Sequence, residues 1–333
     1  MNPSKDQEVI MDRTTARMVF IGAVEEGWQI LKAILEVPEH RRDLCGIVTL
    51  TESKHEGVSG VRSFDDLADY YEIPLYKIEH INELDSITFL SNLDPDLLLV
   101  FGWSQLLSGD VLKIPRLGTL GLHSSLLPKH RGRSPIPWAI IKGLKETGNT
   151  LFYLDEGVDS GDIIGQISFE ITLDDNATTL YDKSVQSGVD LVLGYLHDIK
   201  LEKAPRIPQD HSKADYWPKR GTKDSLIHWE LSTIDIYNLI RGATHPYPGA
   251  FTFDRNEKLT VWAAKLPSGD EHLEDFKPSK PGTIISVKSN GIEVATGDGY
   301  LSITQVQPMD GTEIDAATYA ATRGLTPCMN PFY

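Results

Sequence analysis

Two short stretches of this sequence hold residue types that move protons. The first, Gly121–Pro128, reads Gly-Leu-His-Ser-Ser-Leu-Leu-Pro and contains His123. The second, Asp155–Asp162, carries four carboxylates and two glycines. An imidazole changes charge near neutral pH, and a carboxylate beside it can orient the ring and stabilise its cation. The two stretches together therefore suit proton transfer. The acidic stretch lacks the spacing and the closing glutamate of a calcium loop, so we predict no metal site there.

A strand and a loop must carry the histidine. Residues Thr119–His123 are typical of a strand, and the chain then enters a loop that contains Pro128 and Gly132. A helix is predicted to begin at Ser134-Pro135, with Ser134 as its cap. His123 would therefore lie at the carboxyl end of a strand in an open α/β sheet, which is where such folds place their sites.

The residues before this strand predict the rest of that sheet. Buried strands alternate with helical patterns, which favours a Rossmann-like parallel sheet covered on both faces. The predicted strands are Met18–Ala23, Cys45–Leu50 and Asp96–Phe101, and the predicted helices are Trp28–Leu35 and Ser63–Tyr71. The first turn, Gly22–Gly27, has only two glycines at the wrong spacing and two glutamates, so we exclude nicotinamide binding.

The later residues divide the chain into domains. Strands are predicted at Thr150–Leu154 and Ile163–Ile171, followed by a helix at Ala177–His197. Residues 204–222 are polar and contain three prolines, which is typical of a linker. A helical pattern at Leu226–Ala243 and short alternating runs beyond it indicate a smaller, OB-like β-rich domain. We predict a flexible leader at 1–16, a catalytic domain at 17–203, a linker at 204–225 and the accessory domain at 226–333.

Composition narrows the classes of protein. The formal net charge of the 333 residues is −16, which opposes non-specific binding to nucleic acid. Cys45 and Cys328 are in no metal-ligand spacing and are expected to be reduced thiols. No apolar run is long enough to span a membrane, and the polar N-terminus is not a secretory signal. A cytoplasmic protein with no membrane partner is predicted.

The two proton-handling stretches also carry a resemblance. His-x-Ser-Leu-Leu-Pro, then Arg-Gly, then Asp-x-Gly-x-Asp-x-Gly-Asp resembles the 10-formyltetrahydrofolate-dependent formyltransferases. That superfamily includes formyltransferases of methionyl-tRNA, glycinamide ribonucleotide and nucleotide-sugar amines. Three later segments resemble the methionyl-tRNA and amino-sugar branches, so the resemblance covers roughly residues 18–320. These segments are Pro208–Ala214, Ile227–Trp229 and Arg241–Ala250.

The resemblance implies a role for each matching residue. The catalytic histidine and aspartate of the superfamily fall on His123 and Asp159. The folate-binding residues fall on two loops, and we add Trp103 because it follows a strand end: Trp103, Ser125, Leu127, Pro128, Leu154, Asp155, Gly157 and Gly161. Arg131 and Arg133 are candidates for contacts to the folate glutamate tail or to an acceptor phosphate, and solvent exposure is an equal alternative. The implied co-substrate is 10-formyltetrahydrofolate, with no metal.

One position departs from the superfamily motif, which has Asn-x-His where this chain has Gly121-Leu-His. That asparagine helps to hold the developing oxyanion, and removing one such donor in another enzyme costs about 10²–10³ in rate. Ser104, Gln105 or Ser124 is expected to substitute as the donor. Two alternatives stay open, namely an altered reaction and a catalytically weakened folate-binding relative.

The charge of the C-terminal residues bears on which amine accepts the formyl group. Residues 206–333 contain 13 Lys and Arg against 16 Asp and Glu, so they lack the basic surface that tRNA binding needs. We therefore expect a small-molecule amine, most of all an amino sugar carried on a nucleotide, by analogy with the amino-sugar branch. Methionyl-tRNA is the alternative acceptor, and a homodimer is left open.

Overall fold

The computed structural model describes residues 15–267, 279–329 and 332–333, and these form two compact units. The first unit contains the chain up to Arg131 together with Gly148–Ser168 and Ser184–Asp215. The second contains Gly132–Thr147, Phe169–Lys183 and the chain from Tyr216 onward. Most of the leader expected at 1–16 lies outside the described residues, and Ala16 itself is buried.

The first two-thirds of the chain alternate strands with helices. In order, the elements are β1 (Met18–Ile21), α1 (Glu25–Glu36), α2 (Pro38–Arg41), β2 (Leu44–Leu50), α3 (Asp65–Tyr71), β3 (Leu75–Ile78), α4 (Leu84–Asn92), β4 (Leu97–Val100), α5 (Gly109–Leu112), β5 (Gly118–His123), β6 (Arg131–Gly132), α6 (Pro135–Ile141), β7 (Glu146–Tyr153), β8 (Ile163–Glu170) and α7 (Ala177–Lys200). All of these strands except β6 form a seven-stranded sheet in the order β3-β2-β1-β4-β5-β7-β8. Its members from β3 to β5 are parallel, and β7 runs antiparallel to β5.

Both faces of this sheet are buried. Met18 and Phe20 of β1 belong to one apolar cluster, together with α1 and α7, whereas Val19 and Ile21 belong to a second. Side chains on a strand alternate between its faces, so a strand that is apolar at every position needs cover on both sides. The predicted Rossmann-like sheet is confirmed. Six of its seven strands lie close to their predicted places, whereas β3 was not predicted.

Two local expectations were wrong. Ser134 precedes α6, but its side chain makes no capping hydrogen bond, and its backbone is left-handed with φ 56°. A left-handed residue does not direct its side chain at the first helical N–H groups as an extended cap residue does. The helical pattern expected from Leu226 begins later, because Leu226 forms a bridge with Phe251 instead.

The second unit contains a separate antiparallel sheet. Its elements are β9 (Tyr216–Trp217), α8 (Thr233–Ala243), β10 (Ala250–Asp254), β11 (Glu257–Lys265), β12 (Ile284–Lys288), β13 (Gly291–Ala295), β14 (Tyr300–Pro308), β15 (Ile314–Asp315) and α9 (Ala316–Arg323). The strand order is β10-β11-β14-β13-β12, with β15 on β14, which confirms a β-rich second part. Among the described residues, no helix combines the length and apolar character that crossing a membrane requires.

Candidate active site

The end of β5 carries the histidine to the carboxyl edge of the first unit's sheet. Cα pairing joins Gly121 of β5 to Val100 of β4 on one side and to Phe152 of β7 on the other. His123 pairs with Thr150 of β7 and is only 7% exposed. The side chain is therefore held at a strand end with restricted access to water.

Hydrogen bonding fixes which nitrogen of His123 is available. Its Nε2 lies 2.8 Å from the backbone oxygen of His130. A carbonyl oxygen can only accept, so Nε2 donates and the neutral ring keeps its lone pair on Nδ1. Nδ1 faces Oδ2 of Asp159 at 3.6 Å, and the Asp159 side chain is 20% exposed. The pair can therefore receive a proton at Nδ1 and stabilise the resulting imidazolium.

The loop between β7 and β8 presents Asp159 in a sharply turned backbone. Asp159 has φ 50°, a left-handed conformation that aspartate tolerates better than most residues. Asp155 Oδ1 accepts hydrogen bonds from the Gly157 N–H and the Ser160 hydroxyl, so this carboxylate shapes the loop itself. A side chain at Gly161 would meet the carbonyl oxygen of Tyr153, so the turn requires a glycine there. These contacts explain why the second aspartate of the loop, rather than the first, faces His123.

Leu154 fills the space beside Gly121. A Cβ built on Gly121 would lie 2.5 Å from Leu154 Cδ2 and 3.3 Å from a ring carbon of Phe152. Position 121 therefore lacks a polar side chain and also has no free volume for one while Leu154 keeps its rotamer.

The three polar residues expected to replace the missing donor differ in their surroundings. Gln105 donates through Nε2 to the Glu79 carbonyl and accepts from the Ile81 N–H through Oε1, so both ends hold a neighbouring loop. Ser104 is exposed. Ser124 is buried directly after His123, and its hydroxyl accepts a 2.8 Å hydrogen bond from Ser184. Of the three, only Ser124 directly follows the histidine in the chain.

Side chains of β7 and β8 donate hydrogen bonds to the backbone of the loop Ser125–Pro128. The Ser125 hydroxyl donates to the Lys129 carbonyl, and Thr150 Oγ1 donates to the Ser125 carbonyl. Gln166 Nε2 donates at 2.9 Å to the Leu127 carbonyl. Thr150 and Gln166 were not anticipated from sequence; Thr150 lies on β7, which pairs with the strand of the histidine, and Gln166 lies on β8, the next strand of the sheet.

Apolar side chains line the same face of the sheet. Leu127 packs with Phe152 and Ile163, and Leu154 packs against them. Leu154 and Trp103 also pack against the cluster around Val100 and Ile21. The Trp103 indole N–H is buried without a hydrogen-bond partner among the described residues. The site thus combines an apolar wall with the turned backbone of the acidic loop.

The two candidate anion-binding arginines lie in different surroundings. Arg131 is 1% exposed, and its guanidinium donates to Gln209 Oε1 through Nε at 3.2 Å and Nη2 at 2.6 Å. Arg133 is exposed, and its backbone N–H donates to the Trp217 carbonyl within the second unit. Gln209 was missed as a site residue, although its segment carried part of the resemblance.

One carboxyl group near the carboxyl edge of the sheet has a raised pKa. Burial raises the pKa of Glu26, in the first turn of α1, to about 7. Across residues 15–267, 279–329 and 332–333, no cluster of three or more His, Cys, Asp or Glu side chains has metal-binding geometry.

Comparisons with known proteins show the family of this chain. Residues 18–193 match the family model described as formyl transferase, and residues 220–324 match formyl transferase, C-terminal domain. The methionyl-tRNA formyltransferase of Desulforamulus reducens is 31% identical over 313 residues, which cover 93% of this chain and 96% of that protein.

Two solved structures share the fold. The N-formyltransferase of Helicobacter canadensis, in complex with folinic acid and dTDP-3-aminofucose, has a TM-score of 0.64 at 16% identity. That match covers 90% of this chain and all of the other. HypX of Aquifex aeolicus, in complex with tetrahydrofolic acid, has a TM-score of 0.62 at 18% identity and covers 92% of this chain. The chain spans about half of HypX, 47% of its length.

Proposed function

Because the chain belongs to the formyl transferase family, a family of folate-dependent enzymes, we propose that it moves a formyl group from 10-formyltetrahydrofolate to the amine of a nucleotide-linked sugar. The observation that carries the proposal is the buried His123, whose Nδ1 faces the Asp159 carboxylate at 3.6 Å. This pair lies between the apolar wall and the turned loop at the carboxyl edge of the sheet.

The site fits a flat heterocycle with a polar rim. Leu127, Phe152 and Leu154 offer an apolar surface, and the loop from Leu154 to Gly161 offers turned backbone N–H and C=O groups. Ring systems of this kind are bound by an apolar wall together with a few fixed polar groups. We assign Trp103, Ser125, Leu127, Pro128, Leu154, Asp155, Gly157 and Gly161 to the folate side.

The folate supplies a formyl group on nitrogen, and the chain's residues handle the protons of its transfer. The acceptor nitrogen forms a bond to the formyl carbon, the bond from that carbon to the folate nitrogen breaks, and one proton passes from the acceptor amine to the folate nitrogen. The hydrogen bond from Nε2 to the His130 carbonyl leaves Nδ1 of His123 as the base, so Nδ1 takes the proton and returns it. Asp159 stabilises the charged imidazole during that interval.

Charge favours the small acceptor over tRNA. The chain is strongly acidic at −16, and residues 206–333 are acidic as well. Phosphate backbones need Lys and Arg to replace their counterions, and a nucleotide sugar presents far fewer phosphates than tRNA does. The Helicobacter canadensis structure, in complex with dTDP-3-aminofucose, gives an example of such an acceptor on this fold. The sequence relative from Desulforamulus reducens keeps methionyl-tRNA as the competing acceptor.

A direct screen tests the proposal. The protein is incubated with 10-formyltetrahydrofolate and a panel of nucleotide amino sugars, and mass spectrometry detects the added formyl group. Asp159→Asn serves as the impaired comparison and Asp190→Asn, an exposed aspartate on α7, as the matched control. Formylation of a nucleotide sugar at similar rates by wild type and by Asp190→Asn, and at a much lower rate by Asp159→Asn, supports the proposal. Formylation of methionyl-tRNA alone overturns the choice of acceptor.

A second candidate function rests on position 121. Leu154 occupies the volume of the motif side chain, so a folate-binding relative with weakened catalysis has a structural basis. Calorimetry with 5-formyltetrahydrofolate distinguishes the two candidates. Tight binding without turnover of any amine favours the weakened relative, whereas binding with turnover favours the enzyme.

A further inference from the structure

A buried arginine and glutamine connect the two loops of the site. Arg131 follows His130, whose carbonyl holds His123 Nε2. Gln209 lies on the segment that follows α7, 50 residues beyond Asp159 in sequence. Arg131 is 1% exposed and Gln209 is 6% exposed. Burying a guanidinium and an amide is costly unless both are hydrogen bonded, so the partners of these two side chains are what keeps them inside the protein.

The amide of Gln209 reaches the loop that presents Asp159. Its Nε2 donates to the Asp159 carbonyl at 2.9 Å and to the Gly161 carbonyl at 2.7 Å. Its Oε1 accepts from Nε and Nη2 of Arg131. We propose that Gln209, oriented by Arg131, is a positioning residue that holds Asp159 in its left-handed turn against His123.

The donors and acceptors allow only one orientation of the amide. A guanidinium has only donors, so the atom facing Arg131 must be the amide oxygen. The two loop carbonyls only accept, so the atom facing them must be the amide nitrogen. A flipped amide would place donor against donor and acceptor against acceptor. Arg131 therefore sets which end of Gln209 faces the loop.

The consequence concerns the geometry of the proton pair. Asp159 has φ 50°, a conformation that non-glycine residues adopt rarely and that the surrounding contacts must maintain. Two hydrogen bonds on the carbonyls of residues 159 and 161 hold both sides of the turn. Without them, the carboxylate is free to leave the 3.6 Å position beside Nδ1. A misplacement of about 1 Å in an active site can cost on the order of 10²-fold in rate.

Gln209→Glu and Gln209→Ala test the inference, which rests on the proposed function. Glutamate keeps an oxygen for Arg131, so the guanidinium stays paired and the fold is retained, but it loses both N–H donors to the loop. We expect each variant to lower kcat by about 10–10²-fold while the KM for 10-formyltetrahydrofolate changes by less than about threefold. Gln186→Ala, an exposed glutamine on α7, is the matched control and should keep wild-type kcat.

A double-mutant cycle separates positioning from a general structural role. If Gln209 acts through Asp159, Gln209→Ala should cost less than about threefold when Asp159 is already asparagine. Wild-type kcat in Gln209→Glu, or losses that multiply fully in the double variant, would overturn the proposal.

One readout does not depend on turnover. In both Gln209 variants, hydrogen exchange of peptides covering residues 153–163 should quicken, while peptides covering β1 should exchange as in wild type. If wild type formylates no acceptor, the proposed function fails, but this exchange measurement still tests whether Gln209 holds the Asp159 loop. Unchanged exchange in that segment would then overturn it.

Discussion

At position 121, this chain differs from the superfamily motif in both the volume and the polarity of the side chain. An asparagine at this position requires space over β5, and in this chain the Leu154 side chain takes that space. The exchange places an apolar group where the superfamily motif has a hydrogen-bond donor. Under the proposed function, the oxyanion would then be stabilised by other groups, among which His123 and the neighbouring Ser124 are closest to position 121 in the chain.

The exchange at positions 121 and 154 can be tested by restoring the asparagine of the superfamily motif. Gly121→Asn alone forces Leu154 aside, whereas Gly121→Asn with Leu154→Ala provides both the donor and its space. If the donor limits the rate, the double variant should have a kcat about 10–10²-fold above that of Leu154→Ala alone. Steady-state kinetics with 10-formyltetrahydrofolate measure the difference.

Leu154→Ala is the matched control, because it opens the same cavity without adding the amide. Equal kcat in the single and double variants would mean that another donor already fills the role. In that case Ser124→Ala should be the more damaging substitution.

At the scale of elements, a buried ion pair connects α7 to the residue before β2. Lys200 Nζ lies 2.8 Å from Asp43 Oδ2, and the two side chains are 1% and 3% exposed. His40 Nδ1 lies 3.3 Å from the same ammonium. Removing Lys200 leaves the buried Asp43 carboxylate with only the exposed Arg42, whose Nε lies 3.7 Å from its Oδ1. Losing the partner of a buried charge is far more costly than losing an exposed pair.

Lys200→Met should therefore lower the free energy of unfolding by about 3–5 kcal/mol. Urea denaturation measures the loss. Lys32→Met is the matched control, because Lys32 and Glu36 form an exposed pair at 3.9 Å and its loss should cost less than about 1 kcal/mol. Similar losses of unfolding free energy in the two variants would show that the buried pair stabilises the fold no more than the exposed pair does.

The first turn of α1 makes stability depend on pH. Burial raises the pKa of Glu26 from 4.5 to about 7, so the folded state binds a proton that the unfolded state has lost between these values. Stability from this group is therefore greatest at low pH and falls as the pH rises from 4.5 through 7. The full penalty above pH 7 is about 3 kcal/mol.

Glu26→Gln removes that penalty. The variant should unfold at a higher urea concentration than wild type at pH 8, and the difference should shrink toward pH 4.5. Glu25→Gln is the control on the same turn, since the Glu25 side chain is partly exposed, where it accepts a hydrogen bond from Gln29 and pairs with Arg62 at 3.8 Å. A difference between Glu26→Gln and wild type that is independent of pH would contradict the assignment.

The elements differ in how far local sequence specifies them. Strands β1 and β4 are continuous apolar runs and β2 is largely apolar, so the pattern predicts both their positions and a sheet buried on two faces. The start of α8 was misplaced because Leu226 pairs with Phe251, a contact that local periodicity does not encode. Long-range contacts therefore mark where sequence patterns stop being sufficient.

The candidate site likewise contains residues that a local motif predicts and residues that only the fold brings together. His123 and Asp159 were identified because their motifs are local. Gln209 reaches the Asp159 loop from 50 residues away, and only the fold brings its amide to that carbonyl. Likewise, the absence of a side chain at Gly121 is visible in the sequence, but the occupation of its space by Leu154 is not.

At the scale of the whole molecule, charge separates the two acceptors. A protein of net charge −16 repels polyanions in general, so a tRNA acceptor would depend on locally placed cations and on low salt. A protein that makes 6–10 phosphate contacts loses about 10³–10⁵ in affinity between 50 and 200 mM salt. A nucleotide sugar with few phosphates has a correspondingly shallow dependence.

The salt dependence of kcat/KM therefore tests the choice of acceptor at this scale. With a nucleotide amino sugar, kcat/KM should change by less than about tenfold between 50 and 200 mM KCl, since two phosphates release few counterions. The same amino sugar without its nucleotide is the matched control and should show almost no dependence. A loss of several orders of magnitude with methionyl-tRNA, together with a higher kcat/KM for that acceptor at 50 mM, would instead identify tRNA as the substrate. Cations placed locally would then outweigh the acidity of the chain as a whole.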